Sequence, residues 1–190
     1  MTGLVAWTRS TSFGRSVVDK PNVYVDSCVI INVFAPSASV ADQDRLRPSL
    51  WVLSAGQRGL LRLTLSPLVI AEVLGNGNIR GSHVPPDDRA GKVASVRAYF
   101  HDNDFLFVEL DQFLGLEAAQ LAVAHQLRGP DAIHLASALR AGCTTLYTWD
   151  NDLLKLDGHE ALGGMRCIEP APEGQGDLLE ELSASTPDSE

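Results

Sequence analysis

The sequence predicts an α/β fold built on a mainly parallel central sheet. Short apolar runs alternate with segments of helical periodicity through the middle of the chain, from NVYV near its start to MRCI near its end. Strands separated by helices are the pattern of βαβ units. The chain has 190 residues, 45% of them hydrophobic and 21% charged, and can bury a core without disulfide bonds. In such a sheet the functional crevice lies at the carboxyl ends of the strands.

The first half of the chain contains two predicted strands, each followed by a helix. NVYVDSCVI predicts a strand that runs into a helix, and LLRLTL alternates as a strand does. Between them, DQDRLRPSLWVLSAGQRG predicts a helix in which Pro48 either occupies the first turn or divides the helix in two. SPLVIAEVLGN has Ser66 as its N-cap, Pro67 at its first position and Gly75 near its end, so both ends of this helix are well defined.

The second half alternates in the same way. PPDDRAGKVASVRAYFHD predicts a helix, FLFVEL a strand, and DQFLGLEAAQLAVAHQL a helix with a regular apolar face. GPDAIHLASALRAG begins with Pro130, ends with Gly142 and is apolar between them, as a buried helix would be. TLYTWD predicts the end of a strand, NDLLKL a short helical turn and MRCIEP a final strand.

Both ends of the chain differ from the middle. Residues 1–21 are mixed in composition, and we expect an extension of uncertain order there. Residues 171–190 hold six acids and no base, which predicts a flexible acidic tail that carries most of the net charge of −9. The predicted domain therefore covers residues 22–170. Because the chain lacks the basic field that draws nucleic acid to a whole surface, such a partner would have to be held locally or through a metal ion.

Several classes of protein are excluded by missing motifs. No apolar run reaches the roughly 18 residues of a membrane span, and the N-terminus lacks the apolar core of a signal peptide, so we expect a cytoplasmic protein. Cys28, Cys143 and Cys167 lack zinc-site spacing and are expected to be small buried residues. There is no GxGxxG, GxxxxGK[ST] or GxSxG motif. A phosphatase with an aspartate nucleophile would need a second acid where Cys28 stands.

Four acids stand where an ionised side chain is costly. Asp26 follows the apolar VYV and Asp150 follows LYTW, so both lie at the carboxyl ends of predicted strands. Asp131 follows Pro130 in the first turn of a helix, and Glu72 lies within the apolar LVIAEVL. Singly, each has a simpler interpretation as a first-turn acid, an N-cap or a side chain that reaches solvent. Four such acids at one edge of a sheet are harder to explain in that way.

Carboxylates that are brought together repel one another unless a cation lies among them. Ligands that offer only oxygen favour Mg²⁺ or Mn²⁺. Such ions activate water and neutralise charge on a phosphate that is being cleaved. The four acids therefore suggest a metal-dependent enzyme that cleaves phosphodiester bonds, and a bound cation would explain how an acidic protein attracts phosphate.

The segments VYVDSCVIINVF, SPLVIAEVL, DAIHLASAL and LYTWDNDL resemble the PIN domain family in order and spacing, from about residue 22 to residue 170. The resemblance implies an α/β/α sandwich and a metal-dependent ribonuclease, and many small bacterial members are VapC-type toxins of toxin–antitoxin pairs. By motif, the catalytic and metal-binding acids of the family match Asp26, Glu72, Asp131 and Asp150, with Mg²⁺ or Mn²⁺ as the cofactor. The longer chain, with its N-terminal extension and acidic tail, departs from a compact toxin.

The resemblance also implies supporting residues and partners. Residues expected to support the site without forming its centre are Ser27, Thr148, His134 and Asp152. Independently of the resemblance, candidates for steering the RNA backbone lie on the central helical stretch, and for each of them an ordinary solvated position is the alternative: Arg80, Arg89, Lys92 and Arg97. The expected partners are an RNA substrate, a second copy of the chain in a homodimer, and an antitoxin that places an Arg or Lys among the carboxylates. The apolar LRPSLWVLSAG segment with Trp51 is the candidate dimer surface, and core packing is the alternative interpretation of Trp51.

Two other functions remain open at this point. The same scaffold could bind RNA or a protein without cleaving anything, although the four intact acids argue against this. A metal-dependent phosphatase of another α/β fold would act on phosphomonoesters instead of RNA. A toxin and a housekeeping nuclease are equally compatible with these motifs.

Overall fold

The computed structural model of the chain describes residues 20–35 and 39–171, and for residues 41 and 42 it describes the backbone alone. The predicted N-terminal extension and acidic tail lie almost wholly outside these ranges. The proposed boundaries of the domain at residues 22 and 170 therefore stay a prediction. Within the described ranges, every helix is too short or too polar to cross a lipid bilayer.

The centre of the molecule is a parallel sheet of five strands in the order β3-β2-β1-β4-β5. The strands are β1 Asn22–Val25, β2 Arg62–Leu65, β3 Leu106–Phe107, β4 Thr145–Tyr147 and β5 Arg166–Ile168. In the centre of the sheet, Val23 is paired with Leu63 on one side and with Thr145 on the other. The predicted α/β class with a parallel sheet is confirmed.

Helices connect the successive strands, as parallel pairing requires. In the first half these are α1 Ser27–Phe34, α2 Val40–Gln57, α3 Pro67–Gly75, α4 Gly77–Arg80 and α5 Pro86–Asp102. In the second half they are α6 Gln112–His125, α7 Gly129–Arg140 and α8 Asn151–Leu154, followed by a 3-10 turn at Glu160–Leu162. Helix α4 was not predicted. It is a single turn whose first residues are capped by the side chain of Asn76, which accepts a hydrogen bond from the backbone of Asn78 at 2.9 Å.

Two predicted elements differ in detail from the structure. Pro48 lies inside α2, which continues through it as one helix. The FLFVEL segment forms a strand only at Leu106–Phe107. One further ladder bond joins the Val108 amide to the Leu65 carbonyl at 2.9 Å, and the chain then turns so that Asp111 caps α6. The short β3 lies at the edge of the sheet, where there is only one neighbouring strand to pair with.

The core lies on both faces of the sheet. Successive residues Val23, Tyr24 and Val25 are all buried, so helices cover both faces of the central strand. Helix α7 presents the buried Leu135 to this core. Trp51 of α2 is half-buried and packs against the same core. This contact favours core packing over a place on a dimer surface as the role of Trp51.

Candidate metal centre

The carboxyl edge of the sheet carries one cleft of about 250 Å³ that all four predicted acids line. Asp26 follows β1 and precedes α1, and Asp150 stands in the same position between β4 and α8. Asp131 lies in the first turn of α7, and Glu72 projects from α3. The remaining polar lining includes Arg128 and His134 of the α7 region. The structure thus brings together side chains as far apart in the sequence as Asp26 and Asp150.

Asp26 is held by neutral donors. It is 4% exposed, and its side chain does not cap α1. Its Oδ2 atom accepts hydrogen bonds from Thr148 Oγ1 at 2.6 Å and from Cys28 Sγ at 3.1 Å. Ser27 Oγ donates to Oδ1 at 3.3 Å. The two predicted supporting hydroxyls, Ser27 and Thr148, therefore both contact this carboxylate.

Cys28 forms hydrogen bonds in addition to packing against the core. Burial, followed by the nearby charge of Asp26, raises the pKa of its thiol well above the usual value, so the thiol stays protonated and can donate. Its sulfur also accepts a hydrogen bond from the Trp149 backbone amide at 3.2 Å. The expectation that all three cysteines are simple buried apolar groups is thus incomplete for Cys28. Its link between α1 and the end of β4 has no signal in the sequence.

His134 joins two of the acids to the core. Its Nε2 atom lies 2.8 Å from Glu72 Oε2 and 3.5 Å from Asp26 Oδ1. Because both neighbours of Nε2 are carboxylate oxygens, this nitrogen carries a proton and donates it. Burial lowers the pKa of His134, but the hydrogen bond to Glu72 and the charge of Asp26 outweigh burial, and the net pKa is raised.

The other ring nitrogen of His134, Nδ1, is held by a residue of the core. Nδ1 lies 2.9 Å from the hydroxyl of Tyr24, a fully buried residue of β1. The same hydroxyl forms a hydrogen bond of 2.9 Å with Ser66 Oγ, at the N-cap of α3. A chain of hydrogen bonds therefore runs from α3 through the core strand to the cleft, and it sets the orientation of the imidazole.

Arg128 was missed in the sequence analysis. Its Nε donates to Asp131 Oδ2 and its Nη2 to Asp150 Oδ2, each at 2.9 Å. Arg128 stands three residues before Asp131 at the N-cap of α7, a spacing at which oppositely charged side chains meet. The spacing of three residues between Arg128 and Asp131 is the sequence feature that could have predicted this ion pair. The second contact, with Asp150, depends on the fold.

Asp131 shows the electrostatic cost of the cluster. Burial raises the pKa of its carboxyl, and the charges of Asp150 and Asp26 raise it further, against the opposing hydrogen bond from Arg128. A cation among these groups would relieve that repulsion.

Asp150 serves two purposes with its two oxygens. Oδ1 caps α8 by accepting from the backbone amides of Asp152 and Leu153 at 2.8 and 3.3 Å. Oδ2 faces the cleft and Arg128. The N-cap interpretation of Asp150 is therefore correct for Oδ1, and its expected role in the metal site, through Oδ2, stays a prediction. Asp152 itself pairs with Lys155 at 2.7 Å and is not among the residues that line the cleft.

The four residues expected to steer RNA stay a prediction. In the described structure none of them lines the acidic cleft. Three bond to main-chain carbonyls of their own region: Arg80 to Gly75, Arg89 to Val84 and Lys92 to Asn78. Arg97 is exposed on α5.

The donor set suits a divalent metal. One ligand atom from each of Asp26, Glu72 and His134 lies within 4.8 Å of the others. Carboxylate oxygens are preferred by Mg²⁺ and Mn²⁺, whereas Nε2 of His134 would have to give up its proton before it could bind a metal. Asp131 and Asp150 add two more carboxylates in the same cleft. The residues present therefore fit the expected cofactor.

The fold and this site define a parallel α/β protein with a carboxylate cluster at the carboxyl edge of its sheet. The family model of the PIN domain matches residues 23–159. The chain therefore belongs to the PIN domain family, and the proposed alternative of a phosphatase with another fold is wrong. No curated protein sequence matches the chain significantly.

Solved structures support the same fold at low sequence identity. A toxin–antitoxin complex from Klebsiella pneumoniae is 18% identical with a TM-score of 0.53, over 78% of this chain and 98% of that one. VapC20 of Mycobacterium tuberculosis, described as a toxin that cleaves the sarcin–ricin loop, is 17% identical with a TM-score of 0.52, over 78% and 99%. FitAB bound to a DNA fragment is 16% identical with a TM-score of 0.51, over 78% and 94%.

Proposed function

We propose that the protein is a ribonuclease that hydrolyses RNA phosphodiester bonds with the help of Mg²⁺ or Mn²⁺. The observation that carries this proposal is the meeting of Asp26, Glu72, Asp131 and Asp150 in one cleft. Carboxylates from separate segments repel one another when they are brought together, which costs stability. Their convergence is explained by a cation and by the chemistry that the cation permits.

The four carboxylates would hold the metal. When bound, a divalent ion activates water and neutralises charge on the scissile phosphate. Thr148 and Cys28 keep the Asp26 carboxylate in place, and His134 does the same for Glu72. Arg128 offsets part of the negative charge of Asp131 and Asp150, and it stands at the mouth of the cleft with its side chain 69% exposed, where it can also meet an incoming phosphate.

The choice of RNA follows the family resemblance. VapC20, which shares the fold, is described as cleaving the sarcin–ricin loop. A second possibility with the same scaffold, binding without cleavage, has no support from the site, since the acids are intact and face one cleft. Arg80, Arg89, Lys92 and Arg97 remain candidates for contact with the RNA backbone outside the cleft.

We also propose that the protein is the toxin of a toxin–antitoxin pair, acts in the cytoplasm and forms a homodimer. Two of the similar structures are a toxin–antitoxin complex and a toxin. The contacts of Arg128 show that a guanidinium fits between Asp131 and Asp150. An antitoxin that inserts an Arg or Lys there would block the same carboxylates.

The nuclease proposal is tested with purified protein and labelled RNA. We expect cleavage with Mg²⁺ or Mn²⁺, none with EDTA, and loss of cleavage in Asp26→Asn and Asp131→Asn with unchanged circular dichroism. Asp111→Asn, which changes an acid that caps α6 and pairs with Arg140, is the matched control and should cleave normally. Full activity of Asp26→Asn or Asp131→Asn would remove that residue from the site, and cleavage that persists in EDTA would overturn the metal dependence.

The toxin proposal needs a separate test. We expect expression of the intact gene to arrest growth, the Asp131→Asn form to be harmless, and a small neighbouring gene product to restore growth. If the active enzyme causes no arrest, the protein is a housekeeping nuclease and not a toxin.

A further inference from the structure

A second cleft of about 240 Å³ lies beside the metal centre. Cys28 lines both clefts, and its sulfur lies 3.1 Å from Asp26 Oδ2, so the two spaces are separated by one side chain. The second cleft is chemically different from the first. Among the described residues that line it there is no acid, and the polar groups are one guanidinium and three carboxamides, those of Asn32, Asn76 and Asn78.

Asn32 is the most informative of these residues. It lies on α1 with 7% of its surface exposed, and its Oδ1 atom is buried without a hydrogen-bond partner among the described residues. A buried polar atom without a partner destabilises the fold, so such groups need an explanation. A half-turn of the carboxamide exchanges its oxygen and nitrogen, so this side chain can offer either a donor or an acceptor to a ligand.

The two other carboxamides come from the start of α4. Asn76 uses its oxygen to cap the helix at the Asn78 amide, which leaves its two N–H groups for the cleft. The backbone carbonyl of Asn78 accepts a hydrogen bond from Lys92 at 3.1 Å, so this segment is also held from α5. Carboxamides carry donors and acceptors side by side, which is the pattern that pairs with the edge of a nucleobase.

An indole ring with a guanidinium over it also lines the cleft. The Trp149 indole nitrogen donates to Ser49 Oγ at 3.0 Å, and the Arg45 guanidinium lies 5.1 Å from the centre of the indole ring. Both residues line the cleft. Aromatic rings and guanidinium planes are the surfaces on which the bases of single-stranded RNA stack. The volume is below the about 300–1,000 Å³ of pockets for larger ligands and suits one base.

We propose that this cleft binds one unpaired nucleobase of the RNA strand, next to the phosphate that is cleaved, with Asn32, Asn76 and Asn78 contacting the edge of the base. The inference rests on the proposed ribonuclease function for the identity of the natural ligand. It adds a specificity site that is distinct from the metal ligands and separated from them by Cys28.

The first experiment measures binding without cleavage. The full-length ¹⁵N-labelled protein is titrated separately with adenosine, guanosine, cytidine and uridine, which carry no phosphate and need no metal. We expect at least one nucleoside to shift the side-chain signals of Asn32 and of the Trp149 indole. Asn32→Leu should weaken that binding at least about tenfold, as expected for the loss of a hydrogen-bonded base contact. Gln120→Leu changes an exposed carboxamide on α6 and should bind as the wild type does.

The second experiment concerns cleavage. An RNA oligonucleotide with one abasic position, moved step by step along the strand, should be cleaved more slowly when the gap falls at the base next to the cut. Asn32→Leu should slow cleavage of the intact strand mainly through KM and should no longer distinguish it from the abasic strand. Asn32→Ser, which leaves more space, serves as a second variant if the leucine form does not fold.

The outcomes separate the two proposals. If no nucleoside shifts the Asn32 or Trp149 signals, the base site is overturned whether or not RNA is cleaved. If nucleosides bind there but the wild type cleaves no RNA, the nuclease proposal fails and the base site stands. Unchanged cleavage rates and cut positions in both Asn32 variants would also overturn the base site.

Discussion

Arg128 and Asp131 form an ion pair at the mouth of the acidic cleft, with Nε of the arginine 2.9 Å from Oδ2 of the aspartate. The same guanidinium reaches Asp150 at an equal distance. A positive charge supplied by the chain itself therefore lies between two of the acids expected to hold a metal. In the absence of metal this arginine reduces the repulsion among the carboxylates, and it competes with a cation for their oxygens.

Removal of Arg128 should strengthen metal binding. We expect Arg128→Gln to bind Mn²⁺ roughly three- to tenfold more tightly, because the ion no longer displaces a guanidinium and meets a more negative cleft. Isothermal titration calorimetry measures the change. Arg140→Gln is the matched control, since Arg140 pairs with Asp111 and Glu117 away from the cleft. Weaker Mn²⁺ binding by Arg128→Gln would show that the arginine supports the metal instead of competing with it.

The hydroxyl of Tyr24 should matter for both stability and the site. In Tyr24→Phe the buried His134 and Ser66 lose a hydrogen-bond partner, which we expect to lower the free energy of unfolding by about 1–3 kcal/mol. The loosened imidazole should weaken Mn²⁺ binding by roughly tenfold. Urea denaturation and calorimetry give the two values.

Tyr147 provides the control for this change. It is 1% exposed on β4, and its hydroxyl has no hydrogen-bond partner within the described part of the chain. Tyr147→Phe removes the same atom without breaking a bond, so it should leave stability and metal affinity nearly unchanged or raise stability slightly. Equal losses in the two variants would mean that the contacts of Tyr24 contribute nothing specific.

Replacement of two helical glycines by alanine should change the stability of the protein in opposite directions. A Cβ at Gly56 of α2 would collide with the buried side chain of Leu63, so we expect Gly56→Ala to destabilise the protein by about 1–3 kcal/mol. Gly91 in the middle of α5 has open space at the same position, and Gly91→Ala should stabilise by about 0.5–1 kcal/mol through helix propensity. Thermal unfolding followed by circular dichroism distinguishes the signs, and a stabilised Gly56→Ala would contradict the packing of α2 on β2.

Asp157 should make stability depend on acid pH. It accepts two hydrogen bonds from Arg166 at 2.7 Å and one from the Cys167 amide at 3.0 Å, and the Arg166 bond is the main reason that its pKa is lowered. Because the folded pKa lies below the unfolded value of about 3.9, the stabilisation is full above that value and is lost as the pH falls through the folded pKa.

Asp157→Asn should therefore lower the free energy of unfolding at pH 7 by about 1 kcal/mol, a figure reduced for solvent screening, and the difference from wild type should vanish at low pH. Denaturation curves between pH 2 and pH 7 test this. Glu109→Gln, at an exposed position, should follow the wild type throughout. A constant difference at every pH would show that the charge of Asp157 is not involved.

The parts of the site that could be predicted are those with local signals. Asp26 and Asp150 each follow an apolar strand, and Pro130 marks the helix start that places Asp131. Glu72 lies on the helix whose start Ser66 and Pro67 mark, although the Ser66 side chain bonds to Tyr24 and does not cap that helix. In a parallel sheet the carboxyl ends of the strands share one edge, so these local signals were sufficient to bring the acids together.

The remaining features depend on contacts between distant segments. The bond from Tyr24 to His134 spans 110 residues and the bond from Arg128 to Asp150 spans 22, and neither follows from the spacing of residues along an element. The cleft around Asn32 is formed by side chains from three helical regions and from the segment after β4. The single turn of α4 was missed because GNIR is too short to show periodicity.

The acids of the cleft lie on four separate crossover segments, and the last of them is residue 150 of 190. A nascent chain that has completed only the first crossover, from β1 to β2, carries Asp26 alone, because Glu72 lies on the next crossover. Even a chain that has formed α7 lacks the aspartate that follows β4. All four carboxylates can therefore meet only after residue 150 has been made and β4 has joined the sheet, so the proposed metal site forms late in folding.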